Sequence, residues 1–329
     1  MFHPLLCRAA LLLALASPLA AGAVEMVLTS EVAASHWKTR YMNEFAADVA
    51  KRTNGEVQVK VFPASQLYND QDGLAALGTG AVHMVWPVSV RLETLDPGLG
   101  YVNLPFGLSD EKMANACFAS GLAELMSDRL KSRQLQVLGL LRTADLFFIF
   151  RDRDVKSLAD MEGAKLRVTG GRIFLDMVRS FGASPISMAA SEMSTALAQG
   201  AIDGVLTSPA GWAEMIGNTG KYAFHVPGMS LATYAVVADR SWMDQLTPSQ
   251  RDAVAASLDS ILKRQWEEAR AADAKLVKQM EQQGAIYRVA DEAAAAEWQA
   301  RADTAKKSYT DKYADVVRQV DAIAKRCGA

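Results

Sequence analysis

Gly163-Ala164-Lys165-Leu166-Arg167-Val168 runs into Gly170-Gly171, and some twenty residues on, Met188 to Gly204 reads MAASEMSTALAQGAIDG. The first stretch is a short apolar strand ending in a glycine turn, and a helix is expected from Ile173 to Phe181. The second gives a helix from Ser191 to Gln199 closed by Gly200, then a strand from Ile202 to Leu206. Strand and helix alternate, which is the pattern of an α/β fold. Arg167 sits near the end of its strand, where a fixed guanidinium can face a cleft. Its permanent charge and planar fork suit bidentate capture of a carboxylate. The competing reading is a structural ion pair with a carboxylate of the cleft wall.

The same alternation extends toward the N-terminus. Val24 to Thr29 reads as a buried strand. Ala33 to Lys51 carries Trp37, Tyr41, Phe45 and Val49 at four-residue spacing before Gly55 stops the helix, and Val57, Val59 and Val61 alternate with polar residues up to Pro63. This β-α-β unit implies parallel strands. A helix at Asp70 to Leu77, a strand at Val82 to Trp86, a helical stretch around Ala114 to Lys131 and strands at Gln134 to Leu141, Leu146 to Phe150 and Tyr234 to Ala238 complete the pattern.

Beyond residue 246 the reading changes. Thr247-Pro248-Ser249-Gln250 places an N-cap threonine, a proline at the first helical position and a glutamine at the third. Apolar residues then recur at Val254, Leu258, Ile261, Leu262, Trp266, Ala269, Leu276 and Met280, with no proline before Gly284. Some 36 residues at 1.5 Å each reach roughly 54 Å. A compact domain of about 150 residues is only roughly 40 Å across, so the helix is expected to bridge two domains.

Residues 1–23 have a short basic start with His3 and Arg8, an apolar run from Ala9 to Leu19 and a small-residue exit at Ala21-Gly22-Ala23. This reads as a secretory signal peptide and places the mature protein in the periplasm. Cys7 precedes the apolar run, which argues against a lipid-anchored cysteine. The chain's 35 Lys and Arg residues against 37 Asp and Glu give a formal net charge of −2 with no basic run, so nucleic acid is not an expected partner. Cys117 and Cys327 are open to pairing or to separate burial as thiols.

Motifs for chemistry are missing from the sequence. The glycines at 78, 80, 170 and 171 lack dinucleotide or phosphate-loop spacing. His36, His83 and His225 lack metal-ligand spacing. There is no nucleophile elbow, since Ser208 precedes Pro209 in another context, and no paired carboxylates stand out as acid and base. No enzyme activity, cofactor or metal is expected.

Five short segments together resemble the DctP-type extracytoplasmic solute receptors of TRAP transporters, which are tripartite, ion-gradient-driven uptake systems. They are Thr53-Asn54-Gly55-Glu56-Val57; Val61-Phe62-Pro63-Ala64-Ser65-Gln66-Leu67; Leu104-Pro105-Phe106; Ala159 to Gly163 with Lys165 to Val168; and Ala196-Leu197 with Asp203-Gly204. The resemblance implies a bilobed α/β periplasmic-binding-protein fold with a long helix at about 248–283 crossing both lobes. Lobe I would comprise 24–143 plus 232–270, and lobe II 144–231 plus 271–329. The partners would be an organic acid and the small and large membrane subunits of the transporter.

By the same resemblance Arg167 is the carboxylate clamp, and the pocket draws on Trp86, Arg91, Phe147, Ala190 and Thr207, with Asn69 or Asp70 near its rim. In the family's acidic-sugar receptors an arginine is expected at 147, an aromatic residue at 190 and an asparagine at 207. Phe147, Ala190 and Thr207 depart from that pattern, implying a ligand with one essential carboxylate and a partly apolar body. Trp212 is expected to pack rather than touch ligand. The alternatives are a receptor for an ATP-driven importer or a sensor kinase, and a carboxylate-processing enzyme.

Overall fold

A computed structural model describes residues 23–329; the signal-peptide reading of 1–23 falls almost wholly outside the described residues. The first half contains β1 (Val24–Thr29), α1 (Trp37–Arg52), β2 (Val57–Phe62), α2 (Asp70–Ala76), β3 (Met84–Val85), α3 (Asp110–Ala114), α4 (Ala116–Leu130) and β4 (Leu135–Asp145). Then come β5 (Phe147–Phe150), β6 (Lys165–Val168), α5 (Arg172–Ser180), β7 (Ser184–Ser187), α6 (Ala190–Ala198), β8 (Gly204–Thr207) and β9 (Tyr222–His225). The chain closes with β10 (Leu231–Asp239), α7 (Arg240–Gln245), α8 (Pro248–Gln282), β11 (Ile286–Val289), α9 (Glu292–Lys312) and α10 (Ala314–Cys327).

Two sheets result, ordered β2-β1-β3-β10-β4 and β11-β9-β5-β8-β6-β7. The β-α-β unit is present, with β1 and β2 parallel from Val24↔Val57 to Thr29↔Phe62. The chain passes between sheets at Asp145–Phe147 and again between His225 and Leu231. Asp145 ties the two passages together: Oδ2 accepts from the Gly228 amide at 2.6 Å and lies 2.9 Å from His225 Nε2, and Oδ1 accepts from Ser230 N at 3.2 Å.

α8 is the third passage. Thr247 and Gln250 form the reciprocal cap that the sequence predicts, with Gln250 N donating to Thr247 Oγ1 and Thr247 N donating to Gln250 Oε1. Its 35 residues span roughly 52 Å. Val254, Leu258 and Ile261 pack with Met42, Phe45 and Trp86 of the first lobe, and Met280 packs with Phe147, Leu197 and Trp212 of the second. Each such fully buried side chain contributes on the order of 2 kcal/mol.

Several short elements escape the sequence reading. β7, β9 and β11 are four-residue strands with too few residues to show alternation. The expected strand at Val82 to Trp86 shrinks to β3, whereas the helix expected around Ala114 to Lys131 is α4, preceded by the unforeseen short α3 and capped by the Asn115 side chain, which accepts from Phe118 N. The C-terminal segment serves both lobes. Trp298 of α9 packs against Phe148, Phe181 and Phe224 of the second lobe, whereas Tyr309 at the other end of α9 donates to the Gly98 carbonyl of the first. α10 lies on α4, and Cys117 and Cys327 join them in a disulfide with Cα atoms 5.6 Å apart.

Candidate functional site

The cleft between the sheets is closed by carboxylates that reach helix N-termini across it. Glu31, just beyond β1, accepts through Oε1 from Ala190 N at the start of α6, at 3.0 Å. Glu93 Oε2 accepts from Arg172 N (2.6 Å) and Ile173 N (3.4 Å) at the start of α5. In the opposite sense, Glu214 of the second lobe accepts from Trp37 N of α1 at 3.0 Å. Exposed amides and the helix dipole favour negative charge at each position. Gly171, at φ 78°, makes the middle contact possible, since a Cβ there would lie 2.1 Å from Val90 Cγ2 and 2.9 Å from Glu93 Oε1.

Between these contacts lies a cavity of about 30 Å³ lined by residues of both lobes, roughly the volume of one water in the liquid. Arg167 lines it and is 2 % exposed. β6 holds it between β7 and β8. Its Nε donates to the Met188 carbonyl at 3.0 Å, and Nη2 is buried without any hydrogen-bond partner. Burial lowers its pKa to about 10, opposed by Glu31 and reinforced by Arg91; it stays charged at neutral pH. A buried guanidinium that lines an interlobe cavity and keeps an unfilled donor is arranged to accept an anion.

A buried ionic cluster of the first lobe stands behind the cavity wall. Lys38 Nζ donates to the Trp86 carbonyl at 2.7 Å, pairs with Asp70 Oδ2 at 3.5 Å and lies 4.1 Å from the centre of the Tyr234 ring. Burial lowers the Lys38 pKa against the pull of Asp70 and raises Asp70 to about 6 against the pull of Lys38. Arg91 Nη2 lies 3.8 Å from Glu31 Oε2, and its Nη1 donates to Gln71 at 2.9 Å. His36 accepts from Lys38 N through Nδ1, and burial with Lys38 and Arg40 nearby keeps it neutral.

Of the residues expected at the site, Arg167, Ala190 and Thr207 line the cavity. Arg91 lies behind it, held by Glu31 and Gln71. Trp86 is wholly buried against Phe45 and Met84, with only its carbonyl offered to Lys38. Phe147 faces the other side of β5, against Trp212, His225 and Tyr287. Both are therefore core residues, and strand parity decides the matter for Phe147. Asn69 caps α2 by accepting from Asp72 N, away from the cavity. Trp212 packs as expected and donates to the Gly220 carbonyl at 2.8 Å.

Sequence reasoning missed Glu31, Thr143, Thr169, Ser208 and Tyr234, which supply the cavity's polar wall, and Met193 and Met215, which supply apolar wall. Proximity of Glu31 to the end of β1 was the available signal. A larger groove of about 1160 Å³ opens among α3, α4, β4 and α8. It is lined by the first lobe alone, so lobe closure cannot act on it, and the interlobe cavity is the candidate site.

Known proteins place this geometry. The family model described as bacterial extracellular solute-binding protein, family 7 (DctP), matches residues 28–312. The C4-dicarboxylate-binding periplasmic protein DctP of Rhodobacter capsulatus is 28 % identical over 245 residues, covering 74 % of this chain and 73 % of that protein. Two solved structures share the fold. The sugar acid binding protein DctPAm of Advenella mimigardefordensis in complex with galactonate aligns at TM-score 0.86 and 19 % identity, covering 93 % of this chain and 99 % of that one. DctP7 of Bordetella pertussis, an extracytoplasmic solute receptor binding pyroglutamic acid, aligns at TM-score 0.84 and 23 % identity, covering 92 % and 99 %.

Proposed function

The chain belongs to bacterial extracellular solute-binding protein family 7, the DctP family, and from that premise we propose that it is the periplasmic receptor of a TRAP transporter. It would capture an organic acid between its lobes and hand it to the small and large membrane subunits for ion-gradient-driven uptake. The observation that carries this reading is the unpartnered Arg167 Nη2, buried at the cavity wall. Relatives with the same fold are described as binding a C4-dicarboxylate, galactonate and pyroglutamic acid, all carboxylates.

The mechanism follows from the geometry. A cavity of about 30 Å³ is smaller than any organic acid, so the lobes part to admit one. Parting separates Glu31, Glu93 and Glu214 from their helix N-termini, and closure around the ligand draws them back toward those amides. A ligand whose carboxylate is held by Arg167 and whose body touches the first lobe makes its full contacts only when the lobes are together, and this differential contact favours closure. The hinge is the pair of crossings tied by Asp145, with α8 flexing as the third connection. Ala190 and Thr207 are assigned to the wall around the ligand, and Arg91 to holding Glu31 from behind it.

A thermal-shift screen of an organic-acid library identifies the ligand, since binding at a hundred times Kd stabilises by about 2.7 kcal/mol. Calorimetric titration of the resulting acid into Arg167→Ala is expected to show affinity weakened about a hundredfold or more, as charge-assisted hydrogen bonds contribute roughly 1.5 to 3 kcal/mol each. Unchanged affinity would remove Arg167 as the clamp.

A further inference from the structure

We propose that Glu31 restricts the cleft to acids carrying a single negative charge, so that monocarboxylates are accepted and dicarboxylates repelled. The inference deepens the receptor reading and rests on Arg167 as the carboxylate clamp.

Charge bookkeeping around the cavity gives the first reason. Glu31 and Arg167 are the ionised side chains that line it among the described residues, His36 being neutral. The cations behind the wall are already matched: Lys38 faces Asp70 at 3.5 Å, and Arg91 faces Glu31 at 3.8 Å. Among the charged side chains that line the cavity, Arg167 alone has an unfilled donor, Nη2; Arg91 Nε is also unpartnered, but Arg91 lies behind the wall, beside Glu31. At the cavity and directly behind it, Lys38, Arg91 and Arg167 against Asp70 and Glu31 leave one positive charge, which one carboxylate neutralises; Glu93, also buried, does not line the cavity and is held by the α5 amides. A second carboxylate would enter a site with no cation left for it, and desolvating an unpaired charge is strongly unfavourable.

The second reason is that Glu31 cannot step aside while the lobes are shut. Oε1 accepts from Ala190 N of the second lobe at 3.0 Å, and Oε2 accepts from Asp70 N of the first at 3.2 Å. The residue is 1 % exposed. A dianion clamped at one end by Arg167 therefore either brings its other carboxylate toward a fixed like charge or prevents closure. Each Glu31 oxygen keeps a second lone pair for a neutral donor. In the lining of the same cavity the Thr143 hydroxyl is buried and unpartnered, so a hydroxyl or N–H on the ligand fits where a second carboxylate does not. The relative described as binding C4-dicarboxylates would differ from this chain in ligand charge class.

Matched probes test the idea: succinate against its monoamide succinamate, and galactarate against galactonate, each pair differing in one carboxylate. These are titrated, with the hits of an organic-acid library at pH 7.5, into the mature chain and into Glu31→Gln and Glu31→Asp. The native protein is expected to bind only monoanions among the hits and to favour the monoanion of a binding pair at least tenfold. Glu31→Gln is expected to narrow that preference at least tenfold, while Glu31→Asp, which keeps the charge, retains it. A dicarboxylate among the tight ligands of the native protein overturns the proposal, as does a folded Glu31→Gln with unchanged preference. Should Glu31→Gln fail to fold, the native and Glu31→Asp arms still decide. A dicarboxylate that binds and is lost in Arg167→Ala refutes the role of Glu31 alone; no acid of either class binding the native protein refutes the clamp reading as well.

Discussion

Arg142 and Arg167 are both buried arginines on strands that lead into the cleft, 4 % and 2 % exposed, yet their surroundings are opposite. Arg142, on β4, gives Nε to Asp110 at 2.6 Å, Nη2 to the same carboxylate at 3.2 Å and Nη1 to Asp273 at 2.5 Å. Gln265 of α8 holds its backbone from both sides, accepting from Arg142 N and donating to Arg142 O. Burial opposes its charge, but the two aspartates outweigh that and hold its pKa above the ordinary value. Arg167 has one backbone acceptor, an empty Nη2 and a pKa pushed the other way. A guanidinium that the protein satisfies is structure, whereas one that it leaves unsatisfied is reserved for something else. The sharpest test of the first half is Arg142→Ala. It strands Asp110 and Asp273 and is expected to cost about 3 to 5 kcal/mol in denaturant unfolding. A loss near zero would mean that the aspartates are well solvated and that the contrast is one of appearance.

That contrast also shows what a sequence can carry. Local signals were readable: the cap at Thr247 and Gln250, the valine alternation of β2, and the strand, double glycine and helix around Arg167. Each is written within a few consecutive residues. Partners brought together from afar were not. Nothing near Arg142 in the sequence points to Asp273, and nothing at Glu31 points to the amide of Ala190. A carboxylate at a strand end is ordinarily solvated, so Glu31 passed unnoticed although the cavity is built against it. Phe147 was misplaced for a related reason: on a four-residue strand, alternation does not say which parity faces the cleft, and Trp212 and Tyr287 claim that ring.

Glu93 lies between the two arginines in character, a buried carboxylate satisfied only by the amides of the opposite lobe, with Oε1 left unpartnered. Burial pushes its pKa from the ordinary 4.5 up to about 7, while the Arg172 and Ile173 amides pull it back. The folded chain therefore holds a proton that the unfolded chain releases, and the stability tied to this group falls as pH rises from about 4.5 to about 7, then levels. Glu93→Gln removes that dependence. Relative to the native protein the variant should gain about 2 to 3 kcal/mol between pH 4.5 and 8, measured as the difference of two stability-versus-pH curves. A flat difference would place Glu93 in water and the α5 contact open.

Arg167→Met sharpens the comparison where the expected change in stability is smallest. Methionine matches much of the side chain's length and fills the same space without a charge to desolvate. The native guanidinium returns little for its burial: one bond to the Met188 carbonyl and long-range attraction to Glu31, which already has Arg91 at 3.8 Å and two amides. Its depressed pKa has the same cause, since burial disfavours the charged form. Replacing such an ion by an apolar side chain of similar volume is expected to leave stability unchanged or raise it by about 1 kcal/mol, even as ligand affinity collapses. If the variant instead unfolds as readily as Arg142→Ala, Glu31 depends on Arg167 as Asp110 and Asp273 depend on Arg142, and the guanidinium at the cavity wall is a structural ion rather than a receptor for the ligand's carboxylate.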